Sequence, residues 1–447
     1  MKKLSLFLLL AIVGCYTAAA GELGDQLRAL AAKVDAAEAK TCPVCPVVPT
    51  VPDPVPPVVT PPSTTLKPLA ADPITGTVTK PALGASYVDP VYGTTIYRAS
   101  VGTRHEYSRR QAFNADNSRF LQLAPNGYWF LHDGATFKPL KQLAFLAGDS
   151  EPIWHATNPR LLLHTAREGI GGVWYWLDVE TNTRTQAFSL AGKAPFPNAK
   201  SFWTKAEGTT SADGRYIALM AETYASGKVT FYGVLTVDVT TGAVVGSLAT
   251  SNRPDHVSMS PSGKYAVVSW TGANGTRAYA RDFASFRQLH TTSEHSDLAF
   301  GPNREDLYVY TDYNAGYIVA KNLDTGASFN ITALYPASGS AYAAHVSGQA
   351  FGKPGWVVIS TYADYATYGS TRPDPKLQPQ YRKVFLAELK PGGRLLSVAH
   401  IRGTGTGYFD EPQATASRDL TRIMWASNLG SGTSDSFVAV LPAGAVQ

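Results

Sequence analysis

One short pattern recurs seven times along this chain and limits the folds open to it. In each copy an alternating strand leads through a turn of small residues into an apolar strand. The clearest copy spans residues 255–270 and turns at Ser260-Pro261-Ser262-Gly263. The other copies centre on residues 112–116, 153–157, 210–214, 299–303, 350–354 and 416–419. Internal repeats of this length indicate an array or a propeller, so they outrank any local motif in predicting the fold.

The spacing of the copies gives the size of the repeating unit. Equivalent positions are 41 to 65 residues apart and fall at Arg110, Glu151, Glu207, His256, Asp297, Gly348 and Gln413. This is the length of a four-stranded blade with loop insertions. Residues 94–100 are predicted to supply the outer strand that the last copy lacks. We therefore predict an all-β fold, a seven-bladed β-propeller over residues 85–447, whose closed ring removes free sheet edges.

The repeat, with its small-residue turn, resembles that of the TolB-like and WD40-like propellers over roughly residues 85–447. The resemblance implies the fold. It specifies function weakly, because one propeller architecture carries many unrelated sites.

The N-terminus has the pattern of an export signal over residues 1–20. Lys2 and Lys3 precede the apolar run 4–13, which is too short to be a permanent membrane span. Two processing sites remain open. Cys15 completes a lipoprotein box, and Ala18-Ala19-Ala20 suits cleavage before Gly21. We expect an exported protein, either a periplasmic or outer-membrane lipoprotein held to the membrane only through Cys15, or a secreted protein.

Two further segments separate the signal from the propeller. Residues 21–41 carry apolar residues at spacings of three and four, which predicts a short amphipathic helix that is either a spacer or an oligomerising segment. Residues 42–84 form a linker rich in proline, where an extended spacer is expected. The linker opens with Cys42 and Cys45, for which a loop disulfide or an intermolecular link is favoured over redox chemistry.

Charge excludes one class of partner. The formal net charge is +5 over 447 residues, without a concentrated basic stretch, so no nucleic-acid partner is expected. A polysaccharide or an envelope protein remains open as the partner.

The aligned positions lie on the innermost strands, which line the axis of a propeller. Six of the seven are polar, which predicts either a binding site or a hydrated channel. The loops just before them carry further polar residues that should rim one mouth: His105, Glu106, Tyr107, Arg109, His295, His345 and Glu411. We take His105, Arg109, Glu151, Glu207 and Asp297 as candidate ligand-binding residues.

Four histidines in this region fit two roles. His256, with the rim histidines His105, His295 and His345, offers neutral imidazole nitrogens to a divalent cation, and Glu or Gln would complete the sphere. Histidines in these loops also tie blades together through hydrogen bonds. The nearby Trp154, Trp203 and Trp425 either stack on sugar rings or pack between blades.

This constellation is similar to that of propeller-type polysaccharide lyases, the oligogalacturonate and ulvan lyases. The resemblance implies β-elimination from a uronate polymer, in which a cation or an arginine neutralises the carboxylate and a base removes the ring proton. By this resemblance Arg110 and Arg109 neutralise the carboxylate, and Tyr107 or His256 is the base. The metal ligands it implies are His256, His295, His345 and Gln413.

Two functions therefore compete. The first is an envelope propeller that binds a glycan, a protein or a small molecule at the channel mouth. The second is a lyase on anionic polysaccharide, with a divalent metal ion as its cofactor.

Overall fold

A computed structural model of the chain describes residues 65–334, 342–362, 378–404, 407–430, 432–441 and 444–446. The predicted signal, the amphipathic helix, all three cysteines and the first part of the linker lie outside the described residues, and they stay predictions. Within the described ranges, no helix has both the length and the apolar character needed to cross a membrane.

Seven antiparallel sheets follow one another in the described chain, so the predicted seven-bladed all-β propeller is confirmed. Strands β1 (Ser86–Val88) and β2 (Thr95–Arg98) precede the first blade and belong to the last. Blades one to three contain β3 (Arg119–Leu123), β4 (Tyr128–Asp133), β5 (Pro139–Ala147); β6 (Ile153–Trp154), β7 (Leu161–Thr165), β8 (Val173–Asp178), β9 (Thr183–Ser189); and β10 (Ser201–Trp203), β11 (Tyr216–Ala225), β12 (Lys228–Asp238), β13 (Ala243–Ala249).

The remaining blades repeat this order from the axis outward. Blades four to six contain β14 (Pro254–Met259), β15 (Tyr265–Trp270), β16 (Thr276–Ala280), β17 (Phe286–His290); β18 (Ser296–Phe300), β19 (Asp306–Asp312), β20 (Tyr317–Asn322), β21 (Ser328–Ala333); and β22 (Ala344–Ser347), β23 (Trp356–Thr361), β24 (Lys383–Glu388), β25 (Leu395–His400). Blade seven contains β26 (Thr415–Ala416), β27 (Arg422–Ser427) and β28 (Asp435–Val440).

Blade seven closes the ring with strands from both ends of the propeller. Strand β2 pairs with β28, with Ile96 opposite Ala439, as predicted for residues 94–100. Strand β1 then pairs with β2 and adds a fifth strand, which the repeat pattern did not predict. The closure makes the first and last segments of the propeller one sheet.

In several blades the small-residue turn enters the strand through a left-handed backbone position. In blade four this position is Gly263, with φ of 73°. A Cβ atom there would stand 2.8 Å from Cδ2 of Tyr216 in the preceding blade. Other blades place a side chain at the same point: Asn117, Arg304 and Leu420 all have positive φ. The repeat therefore conserves a conformation more strictly than it conserves glycine.

The core lies between neighbouring blades. Trp425 and Phe437 of blade seven share a buried cluster with Trp356 and Val358 of blade six. Trp174 of blade two lies in a cluster with residues of blade three and donates a hydrogen bond from Nε1 to the Phe202 carbonyl at 3.2 Å. Each blade thus buries its faces against the next, and the ring fixes where the loops of one face converge.

Part of the predicted linker follows the edge of blade six. Leu69 N donates to the Leu395 carbonyl, and Ser397 N donates to the Lys67 carbonyl, each at 2.8 Å. The buried Lys383 ammonium donates to the Ala70 carbonyl. Residues 66–70 therefore extend the sheet of blade six at its outer strand.

Candidate functional site

Arg109 lies over the propeller axis and contacts three other blades. Its Nη1 donates to Oε2 of Glu207 in blade three and to Nε2 of His256 in blade four, both at 2.6 Å. Its Nε donates to the Ser296 carbonyl of blade five. The side chain is 4% exposed. The sequence prediction that these positions converge on one axis agrees with this geometry.

The bond from Arg109 fixes the state of His256. Because a guanidinium has no acceptor, Nε2 of His256 must be unprotonated to receive it. Burial, and then the charge of Arg109, lowers the pKa of His256. His256 is therefore a neutral imidazole at neutral pH, with Nδ1 facing Glu207 Oε2 and Asp255 Oδ2, each at 3.5 Å.

Arg110 points away from the axis, into the junction of blades two and three. Its Nη2 donates to Oγ1 of Thr204 at 3.2 Å and lies 3.5 Å from Oε1 of Glu151. Glu151 is fully buried and also accepts from the backbone N–H groups of Thr204 and Ala206. Neither Arg110 nor Glu151 lines a described cavity at the mouth, so both fit a bridge between blades.

Asp297 joins blades five and six. Its Oδ2 accepts from Gly348 N at 2.7 Å and from Gln349 Nε2 at 3.1 Å. Burial raises the pKa of Asp297 to about 6. These bonds occupy the carboxylate, so the structure places Asp297 in a structural bridge and away from the ligand surface for which it was a candidate.

His105 and Gln413 join blades one and seven. Nε2 of His105 bonds the Gln413 carbonyl, and Nη1 of Arg104 donates to Oε1 of Gln413 at 2.6 Å. Burial lowers the pKa of His105 to about 4. The amide oxygen that Gln413 would offer to a metal is therefore occupied by a guanidinium.

His295 and His345 stack on each other. Their ring centroids are 4.7 Å apart at an interplanar angle of 22°, and Tyr362 stacks on His345 at 4.8 Å. Tyr107 meets the edge of His345 at 5.5 Å. Burial, and then the charge of His295, holds the pKa of His345 well below its usual range. Imidazoles bind a cation in the plane of the ring, so stacked rings do not converge on one ion in this arrangement.

The four predicted metal ligands are therefore not brought together as one set. Across the described ranges, the group of at least three His, Asp and Glu side chains with ligand atoms within 4.8 Å consists of Glu207, Asp255 and His256. The donor types suit a divalent cation. However, Arg109 and Lys205 already neutralise its carboxylates, at 2.6 and 2.7 Å. Of the predicted ligands, only His256 belongs to this group.

Two adjacent cavities open at the mouth. The first, about 620 Å³, has the aromatic walls Tyr107, Trp203, Tyr408 and Phe409. The second, about 550 Å³, is lined by Arg109, His295 and Tyr362, among others. Tyr107, Glu207 and Tyr408 border both cavities. Tyr107, Arg109, Glu207 and His295 are thus the predicted site residues that reach a cavity, and the other predicted residues lie behind the cavity walls.

Of the three tryptophans considered for stacking, only Trp203 lines a cavity. Trp425 is fully buried in the cluster between blades six and seven, and Trp154 is 5% exposed and donates to the Ala112 carbonyl of blade one. The alternative of packing between blades holds for these two.

Several residues of the mouth were missed in the sequence. Tyr408 and Phe409 are 54% and 63% exposed, and the Arg104 guanidinium lies 5.3 and 4.5 Å from their ring centroids. Lys205 and Asp255 form an ion pair at the rim. The sequence did contain a signal for these five residues, Arg104, Lys205, Asp255, Tyr408 and Phe409. Each lies close in sequence to a residue that was identified as part of the mouth.

Glu106, noted in the sequence only as a rim residue, has an unusual environment in the first cavity. Its side chain is 10% exposed, and Oε2 has no hydrogen-bond partner. The nearest cation is Arg110, whose Nε lies 3.5 Å away. Burial raises the pKa of Glu106 to about 7.

Comparison with known proteins identifies the fold. No family model and no curated protein matches the sequence. An oligogalacturonate lyase structure in complex with manganese has a TM-score of 0.58 at 14% identity, covering 81% of this chain and 97% of the lyase chain. An oligogalacturonate lyase from Vibrio parahaemolyticus has a TM-score of 0.57 at 13% identity, covering 80% and 97%. The WD40 domain of Neurospora crassa Pan2 has a TM-score of 0.44 at 11% identity, covering 74% and 88%.

The similarity to the two oligogalacturonate lyase structures confirms the predicted resemblance at the level of fold. Sequence identities this low are evidence for a shared fold only. The chemistry of the site has to be argued from the residues of this chain.

Proposed function

We propose that this protein is an exported envelope propeller that binds a saccharide chain in the cavities at its channel mouth. The observation that carries the proposal is the first cavity, where exposed aromatic rings stand beside charged side chains. Sugar rings present an apolar face that stacks on aromatic side chains, while their hydroxyl groups need polar partners. Tyr408 and Phe409 offer the faces, and Arg104 and Lys205 are among the polar partners.

Two adjacent cavities favour a chain over a single sugar. Tyr107, Glu207 and Tyr408 separate the cavities and belong to both, so one ligand can contact these residues from either side. Because the walls come from loops of several blades, the ring of the propeller holds them in fixed relation.

Binding can be tested with immobilised glycans and calorimetry on the purified protein. We expect affinity for at least one oligosaccharide class, lowered at least tenfold by F409A combined with Y408A. Y224A is the matched control, because Tyr224 is 67% exposed and lines neither cavity. An equal loss in the control, or no binding across a broad panel, would contradict the proposal.

A lyase acting by β-elimination on uronate polymers is the second candidate. It is favoured by the unprotonated Nε2 of His256 beside the Arg109 charge, in a fold similar to that of oligogalacturonate lyase. Arg109 would have to release Nε2 before His256 could act as a base. Burial raises the pKa of Tyr107, which opposes a phenolate base at neutral pH.

A divalent metal would supply charge neutralisation for the uronate carboxylate in this candidate. Glu207 and Asp255 are the side chains that would hold it, once Arg109 releases Glu207 and Lys205 releases Asp255. His256 would not bind it while acting as the base, because an imidazole with an unprotonated Nε2 carries its proton on Nδ1. Incubation with uronate polysaccharides, with and without Mn²⁺, should then produce absorbance from the unsaturated product. H256Q should abolish that absorbance signal. If the wild-type protein gives no signal with any polysaccharide of the panel, the lyase candidate is excluded.

Export rests on the N-terminal pattern and has its own test. Mass spectrometry of the mature protein should find either a lipid-modified Cys15 or an N-terminus at Gly21. An unprocessed Met1 in the mature protein would contradict export through this signal.

A further inference from the structure

The charge at the mouth is opposite in sign to the charge of the whole chain. The two cavities are lined by six acidic and three basic side chains. The acidic residues are Glu106, Asp149, Glu207, Asp255, Glu294 and Asp410, and the basic residues are Arg104, Arg109 and Lys205. The formal net charge of the chain is +5. A cleft with an excess of one sign attracts ligands of the other sign and repels those of its own.

The three basic groups are already engaged within the protein. Arg109 is bound to Glu207, His256 and Ser296. Arg104 donates to Gln413 and lies over the Phe409 ring, and Lys205 pairs with Asp255. A uronate carboxylate entering the mouth would therefore compete with existing partners for every one of these cations.

The acidic side of the first cavity has an atom without a hydrogen-bond partner, whose nearest cation is the Arg110 guanidinium at 3.5 Å. Oε2 of Glu106 is buried and accepts no hydrogen bond, although it lies in a cavity wall. A buried acceptor without a donor is unfavourable, and a ligand that brings an N–H donor relieves that cost. Asp149 lines the same cavity and adds a second carboxylate.

The aromatic walls favour the same class of ligand. Tyr107, Trp203, Tyr408 and Phe409 surround the first cavity, and a cation near the face of such rings is attracted by their electrons. Carboxylates together with aromatic faces are the combination that recognises ammonium groups in proteins.

From these observations we infer that the saccharide bound at the mouth carries free amino groups, as in an oligomer of glucosamine. The inference rests on the proposed saccharide-binding function and specifies its ligand. The ammonium group lies at Glu106 and Asp149, and the sugar faces stack on Tyr408 and Phe409.

The experiment compares three oligomers of equal length by calorimetry: glucosamine, N-acetylglucosamine and galacturonate. We expect the glucosamine oligomer to bind at least tenfold tighter than the acetylated one at low salt. The difference should shrink as salt is added, because screening weakens charge attraction. Galacturonate should bind weakest.

A variant pair separates the local charge from the charge of the whole protein. E106Q combined with D149N should reduce the preference for the glucosamine oligomer over the acetylated one to about threefold or less. E180Q is the control, because Glu180 is an exposed acid of blade two that lines neither cavity. A preference unchanged in the double variant overturns the inference.

The outcomes distinguish this inference from the function on which it rests. Equal or tighter binding of the acetylated oligomer overturns the amino-sugar inference and supports saccharide binding. Tightest binding of galacturonate also overturns it and favours the lyase candidate. No binding of any oligomer overturns both the inference and the proposed function.

Discussion

At the scale of single residues, the mouth is built from buried charges held by several blades at once. Arg109 comes from the loop before blade one and meets side chains of blades three, four and five. Removing a buried charge that has several partners destabilises the protein mainly because those partners stay buried without their counter-charge. The same contacts set the tautomer of His256 and the charge of both cavities.

We expect R109M to destabilise the protein by about 3–5 kcal/mol, because it leaves Glu207 without its cation and removes bonds to three blades. Urea denaturation at neutral pH measures the change. R119M is the control, since Arg119 makes its ion pairs at the outer surface, and we expect a loss of less than about 1 kcal/mol there. Equal losses in the two variants would show that Arg109 does not join the blades.

Glu106 should make stability depend on pH. Burial raises its pKa to about 7 in the folded protein. The folded state thus keeps a proton that the unfolded chain releases near its ordinary pKa of about 4.3. The stability that Glu106 contributes is fully present below about pH 4.3 and is lost as the pH rises through about 7.

E106Q removes this dependence. Relative to the wild type, the variant should gain on the order of 3 kcal/mol in unfolding free energy between about pH 4 and pH 8. Denaturation curves at several pH values measure the difference. Parallel pH profiles for the two proteins would mean that Glu106 ionises at its ordinary pKa.

At the scale of elements, the repeated turn is defined by backbone conformation. Gly263 and Gly214 occupy the left-handed position with glycine, whereas Asn117, Arg304 and Leu420 occupy it with side chains. Only at some blades does the neighbouring strand also approach closely. Among these five turns the residue type therefore varies, while the left-handed conformation is shared.

G263A should cost about 1–3 kcal/mol, because it combines positive φ with a Cβ atom 2.8 Å from Tyr216. R304G tests the conformation without the contact. R304G removes the strain of a side chain at φ of 63° and should change the free energy of unfolding by less than about 1 kcal/mol. Thermal denaturation measures both, and a strongly destabilised R304G would mean that the arginine contacts outweigh the backbone effect.

At the scale of the whole molecule, stability depends on closing the ring. Strand β2 joins the sheet of blade seven through Ile96, which is fully buried opposite Ala439. Without this strand, β28 would be a free edge, and the first blade would lose its link to the last. Because every blade buries its faces against its neighbours, we expect the described propeller to unfold as one unit.

I96A should lower the unfolding free energy by about 2–5 kcal/mol, as expected for a buried isoleucine. V88A, on the exposed face of β1, is the control and should change it by less than about 0.5 kcal/mol. Fluorescence and far-UV circular dichroism should report one shared transition in both variants. Separate transitions in I96A would show that blade seven opens independently of the ring.

The sequence alone determined the fold and the positions of the candidate site residues along the chain. A repeat of 41 to 65 residues with a small-residue turn permits few architectures, because each unit must bury its apolar faces against a neighbour. It also placed the polar residues of each unit at the same end of the inner strand. That is why Tyr107, Arg109, Glu207 and His295 were identified before any coordinates.

The tertiary structure decided which of those residues face a ligand and which hold blades together. Arg110 and Arg109 are neighbours in sequence, yet one bridges two blades and the other lies over the axis. His295 and His345 were grouped as ligands, but they stack on each other. Sequence spacing fixes the level of a residue along the axis, whereas the direction of its side chain depends on partners from distant blades.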